Sequence, residues 1–141
     1  MPNPEFEVEE IDHTADWAIR VRAPDVRRLF VGAATGMFGL LCDLKDIASE
    51  TTFEFELESP DAETLLVDWL NELLYEAESR RMVFARFVID ALDEGSPARL
   101  RGRAHGGVPP ALAKAIKAAT FSGLRILADP QGREATLVFD V

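Results

Sequence analysis

Apolar and polar positions alternate with period two in two short stretches near the start of the chain: Phe6 and Val8 stand among acids, and Trp17, Ile19 and Val21 alternate with Ala18, Arg20 and Arg22. That alternation predicts two strands, each with one buried face. From Asp25, placed as an N-cap just after Pro24, the apolar residues Leu29, Phe30, Ala33, Ala34, Met37, Phe38 and Leu41 recur at helical spacing. They predict an amphipathic helix ending near Cys42. Phe53, Phe55 and Leu57 alternate with Glu54, Glu56 and Glu58 as a half-exposed strand. Ser59 as N-cap and Pro60 at the first helical position then open a second helix, with an apolar stripe of Leu65, Leu66, Trp69, Leu70, Leu73 and Leu74. Its other face carries Asp61, Glu63, Asp68, Glu72 and Glu76, which reads first as a solvated surface and second as a docking face for a basic partner.

Residues 82–92, MVFARFVIDAL, are continuous enough for a central strand, and 98–104 alternate Arg99, Arg101 and Arg103 with Leu100, Gly102 and Ala104. Segment 111–119 is ambiguous, since Ala and Lys favour helix whereas Thr120, Phe121 and the run from Leu124 to Leu127 favour strand. Residues 135–141 alternate again as a closing strand. Two helices and about seven strands, largely hairpin-connected, predict an α+β two-layer sandwich with two main helices packed on a mostly antiparallel sheet.

The 141 residues fit a single domain over 1–141, with no repeat or linker to divide it. No stretch is apolar for long enough to span a bilayer, and the acidic start MPNPEFEVEE lacks a signal-peptide layout, so the cytoplasm is the expected location, with no membrane partner. The lone Cys42 has no cysteine to pair with and is expected to fill a buried position on the first helix. Net charge is −10 but unevenly spread: residues 1–60 hold 5 basic and 13 acidic side chains, residues 101–141 hold 6 and 3. Phosphate neutralisation supplies most of the affinity of nucleic-acid binders, so no strong direct binding to nucleic acid is expected of the whole chain. Arg99, Arg101, Arg103, Lys114 and Lys117 are the residues a direct RNA chaperone would use, although a strand of arginines is more often a solvated face.

Asp12-His13-Thr14-Ala15-Asp16 puts two carboxylates and an imidazole into a loop between the first two strands. Hard divalent cations need several oxygen ligands, which such a loop can supply, whereas Asp-rich loops also cap their own turns. His13 could bind metal, act as a base or orient the loop, and orientation is preferred because His105 is the only other histidine. His105-Gly106-Gly107 reads as a plain turn rather than an anion loop, and no Ser/His/Asp spacing or phosphate loop is present.

IDHTADWAIRVRA after an acidic strand, then MFGLLCDL, LLVDWLNELLYEAE, KAATFSGL and a final DV stand in order over residues 5–141. In these landmarks the chain resembles the archease family. The resemblance implies an accessory protein, not itself an enzyme, that serves the tRNA-splicing RNA ligase sealing 3′-phosphate and 5′-hydroxyl ends. Members promote guanylylation of that ligase and its multiple turnover. It further implies a divalent metal ion, calcium by expectation, held by Asp16, Asp140 and Val141 with Asp12 beside them, and a functional lysine at Lys117. Ala115 stands where relatives carry an acid, and Phe121-Ser122 where they carry Tyr-His. Asp140 and the α-carboxylate of Val141 would repel each other and Asp16 without a cation, so extending the chain past Val141 should weaken metal binding. The alternative reading is a metal-dependent phosphohydrolase or nuclease using Asp12, His13, Asp16 and Asp140 with metal-bound water.

Overall fold

The computed structural model describes residues 5–11, 17–109, 116–120 and 124–140. In chain order the elements are β1 (Glu7–Ile11), β2 (Trp17–Ala23), α1 (Val26–Gly39), β3 (Thr51–Ser59), α2 (Ala62–Ser79), β4 (Val83–Asp93), β5 (Ala98–Gly107), β6 (Ala118–Thr120), β7 (Leu127–Asp129) and β8 (Gly132–Asp140). They form two sheets. One runs β1-β2-β8-β6, with β7 also paired to β8; the other runs β3-β5-β4. Every pairing is antiparallel, as the alternation and hairpin spacing require. The two helices pack on each other and each against strands of both sheets, giving the expected α+β architecture with its sheet divided in two.

Each helix starts where a side chain can accept the backbone N–H groups that the first turn leaves unpaired. Asp25 accepts from Arg28 N at 2.8 Å and opens α1. For α2 the cap is Asp61, accepting from Thr64 N at 2.7 Å, not Ser59. Ser59 still belongs to β3, and its hydroxyl donates to Asp68 Oδ2 at 2.6 Å. Asp68 therefore serves that hydrogen bond, and Glu63 accepts from the backbone N–H of Ile126 at 3.2 Å, so the acidic face of α2 is partly spent within the fold. The buried stripes of the helices are those their spacing predicts: Leu29, Phe30, Ala33, Ala34, Met37 and Phe38 on α1, and Leu65, Leu66, Trp69, Leu70 and Leu73 on α2. Trp69 satisfies its buried indole N–H on the carbonyl of Phe30 at 3.2 Å, tying one helix to the other, and packs edge-on against Phe55 of β3 with ring centroids 5.5 Å apart.

The strand over 82–92 is β4, which lies at the edge of its sheet; β5 is the central strand. Register shifts between Phe84 and Arg86 and between Ile89 and Ala91 break the alternation of β4, which is why its sequence imitates a strand buried on both faces. His105, Gly106 and Gly107 form no turn but complete β5. A Cβ at Gly106 would lie 2.1 Å from the carbonyl oxygen of Val83, so glycine is demanded there by the close approach of the neighbouring strand. Cys42 lies beyond the end of α1 and is half-buried, not a fully buried helical filler. Burial, with Asp43 and Asp46 nearby, raises its thiol above the usual range. Of the ambiguous segment, residues 111–115 lie outside the described residues, Ala118–Thr120 is strand, and strand resumes at Leu127.

Candidate metal centre

The closing strand β8 ends at Asp140, and two other parts of the chain arrive at that end of the sheet. Ala118 of β6 stands opposite Asp140, and the backbone N–H of Lys117 donates to the Asp140 carbonyl at 2.8 Å. On the other side of β8, Trp17 of β2 stands opposite Phe139, while Ile11 of β1 stands opposite Ala18. Both described flanks of residues 12–16 thus sit at the end of the sheet where Asp140 sits. The side chains of Asp140 and Lys117 are exposed. Of the residues singled out from the sequence, the structure brings Asp140 and Lys117 together; Asp12, His13, Asp16 and Val141 lie outside the described residues.

A carboxylate is a donor that suits calcium or magnesium, but calcium takes six to eight oxygens and Asp140 can supply two. Among the described residues no group of three or more His, Cys, Asp or Glu side chains is arranged to hold a metal ion. Asp140 alone among the described residues therefore does not make a centre.

One residue that sequence reasoning passed over supports this corner. Asn71 on α2 donates from Nδ2 to the carbonyl of Ala119 at 3.1 Å and accepts the Ala119 N–H on Oδ1 at 2.8 Å. The only signal in the sequence is a carboxamide among the apolar and acidic positions of LLVDWLNELLY, which by itself reads as helix surface. An apolar groove of about 350 Å³, lined by Phe38, Leu41, Leu74, Ala77 and Met82, has Lys117 at its rim.

Arg99 and Arg103 of β5 are committed elsewhere. Arg99 donates from Nε to Glu58 at 2.8 Å, and Arg103 grips Asp90 with two hydrogen bonds of 3.0 and 2.9 Å. The Arg103 guanidinium holds the Asp90 carboxyl below the usual carboxylate range, and Asp90 in turn raises Arg103. Arg101 stands opposite Glu56. Acid and base therefore face each other across the strands, the arrangement of a solvated and compensated sheet face. Lys114 lies outside the described residues. His105 is buried in this second sheet, with Nδ1 2.8 Å from the hydroxyl of Thr52, and takes no part at the Asp140 corner. No helix among the described residues is long and apolar enough to cross a membrane.

Two helices packed on two antiparallel sheets, with the backbone of Lys117 bonded to that of Asp140 at one sheet end, describe a small α+β protein. Comparison with known proteins names the group. The archease protein family matches residues 8–141, and the chain belongs to it. The protein archease of Methanosarcina barkeri is 36% identical over 138 residues, 94% of each chain. The solution structure of protein 1598 of Methanobacterium thermoautotrophicum superposes with a TM-score of 0.82 at 27% identity, covering 99% of this chain and all of that one. A Thermotoga maritima archease, described as a possible chaperone, shares the fold with a TM-score of 0.55 at 24% identity, covering 94% of this chain and 96% of its own.

Proposed function

We propose that the protein is a metal-binding accessory factor that activates a tRNA-splicing RNA ligase in the cytoplasm, promoting its guanylylation and its multiple turnover, and that it is not itself an enzyme. Asp16, Asp140 and Val141, with Asp12 beside them, would hold a divalent cation, calcium by preference, while His13 orients the loop and Lys117 serves the ligase. The bound cation would supply the positive charge that lets these carboxylates lie close together. Membership of the archease family supports the reading. The observation that carries it is the placement of Lys117 against Asp140, with Trp17 opposite the preceding residue, at one end of one sheet. A carboxylate and an ammonium carried on bonded backbone segments at an exposed sheet end can offer a cation site and a phosphate-binding group to a partner.

Two measurements test it. Calorimetric titration of calcium into the native protein, Asp16→Ala and Asp140→Ala is expected to show binding that weakens at least about tenfold in each variant, the scale expected for loss of one charged ligand; unchanged affinities would sink the metal assignment. Ligation of RNA in substrate excess by the partner ligase is expected to need this protein for repeated turnover. Lys117→Ala is expected to lose that stimulation while keeping calcium, and full stimulation by the variant would remove Lys117 from the reading.

A further inference from the structure

The strand that carries Lys117 into place has little to hold it. β6 is three residues long and stands at the end of the strand order, with β8 as its strand partner. So short a strand is marginal on one ladder alone. The N–H and C=O of Ala119 are taken up not by another strand but by the two ends of the Asn71 carboxamide, at 2.8 and 3.1 Å. A carboxamide offers one donor face and one acceptor face in a plane, as a peptide group does, so Asn71 stands in for the missing neighbouring strand. No other side chain of its size can do so. An ionised Asp would set two acceptors against the Ala119 carbonyl, and Leu or Ala would leave both backbone groups of a buried residue without a partner.

Ala119 lies two residues beyond Lys117, whose own N–H is bonded to Asp140. A shift of β6 along or away from β8 therefore moves Lys117 relative to Asp140. α2 is anchored independently in the turns before this point, by Asp68 accepting from Ser59 and by Glu63 accepting from Ile126. The Asn71 contact thus acts on the strand rather than on the helix. We infer that Asn71 is a positioning residue: by completing the edge of β6 from helix α2, it keeps Lys117 in register with Asp140. The functional consequence rests on the proposed function above, whereas the structural step does not.

Amide hydrogen exchange followed by NMR separates the two. Asn71→Ala and the isosteric Asn71→Asp are expected to speed exchange of the Lys117 amide about tenfold, the scale of one lost hydrogen bond. Ser59→Ala, which releases α2 from β3 through a bond of comparable kind, is expected to lower the melting temperature yet leave Lys117 exchange unchanged. Unaltered protection of Lys117 in both Asn71 variants would overturn the inference, and so would an equal loss of protection in Ser59→Ala. In the same spectra, calcium is expected to shift the Asp140 amide in the native protein and, at the same metal concentration, in Asn71→Ala, because Lys117 is no metal ligand. A native protein that shows no calcium response would sink the metal reading alone, because the Lys117 exchange rates still decide the role of Asn71.

Discussion

His105 is buried on β5, with Nδ1 against the Thr52 hydroxyl and Nε2 without a hydrogen-bond partner among the described residues. Burial, and then the charges of Arg86 and Arg103, hold the imidazole below its ordinary range. A histidine in the unfolded chain takes up its proton near pH 6.5. The folded ring resists that proton, so the unfolded state binds more protons between the folded value and about 6.5. The stability tied to the neutral ring is therefore complete above about pH 6.5 and is lost as the pH falls from there towards the folded value. Melting temperatures measured from about pH 7.5 to about 5.5 are expected to fall more steeply for the native protein than for His105→Gln; parallel curves would show that the ring titrates freely. From composition His105-Gly106-Gly107 resembles a turn. What makes the glycine necessary is a backbone carbonyl on a strand more than twenty residues away in sequence, and no local pattern reports that.

Among the elements, α1 offers two glycines in opposite situations. At Gly32 an added Cβ would stand 2.8 Å from Cγ of Phe6 and 2.9 Å from Cγ1 of Val21, atoms close to their own backbones and, for Val21, wholly buried. At Gly39, the last residue of the helix, the same atom would meet nothing within 4 Å. Replacing glycine by alanine in a helix gains up to about 1 kcal/mol of propensity, whereas overpacking a core costs about 1–3 kcal/mol. Gly39→Ala is thus expected to raise stability by about 0.5 kcal/mol and Gly32→Ala to lower it by about 1 kcal/mol, read by urea unfolding. Gains in both would mean that Phe6 and β2 do not press on this helix as described. Periodicity made both helices legible, together with the alternating strands β2, β3 and β8, because each buries one face and shows the other to water. It failed at β4, where two register shifts erase the alternation, and at the start of α2. There Ser59-Pro60 satisfies the rules for a cap, but Ser59 is bound to Asp68 and Asp61 caps instead. Both failures come from tertiary partners, which a local window cannot contain.

For the whole molecule, part of the excess of basic residues in the last third of the sequence is compensated in space. Arg99 meets Glu58, Arg103 meets Asp90, and Arg133 is bonded through both terminal nitrogens to Glu94. The acidic partners of these arginines come from other parts of the chain, so the basic segment seen along the sequence is partly compensated by distant acids. The candidate centre was legible to a different degree. Its residues followed from family landmarks, and the meeting of Lys117 with Asp140 follows from β-sheet register. Asn71 stayed invisible because a carboxamide on a helix announces nothing until the strand it completes is in place. With a net charge of −10, and with Arg99, Arg103 and Arg133 held in ion pairs, the protein is poorly suited to displacing counterions from a phosphate backbone. Filter binding to tRNA at roughly 150 mM salt is therefore expected to show no affinity tighter than about 100 µM, near the weak end of non-specific binding. Combined replacement of Arg99, Arg101 and Arg103 by alanine is expected to leave that result unchanged. Micromolar binding that collapses with salt and with the triple replacement would instead make the β5 face a nucleic-acid surface, and would shift the account of this protein from partner activation towards direct handling of RNA.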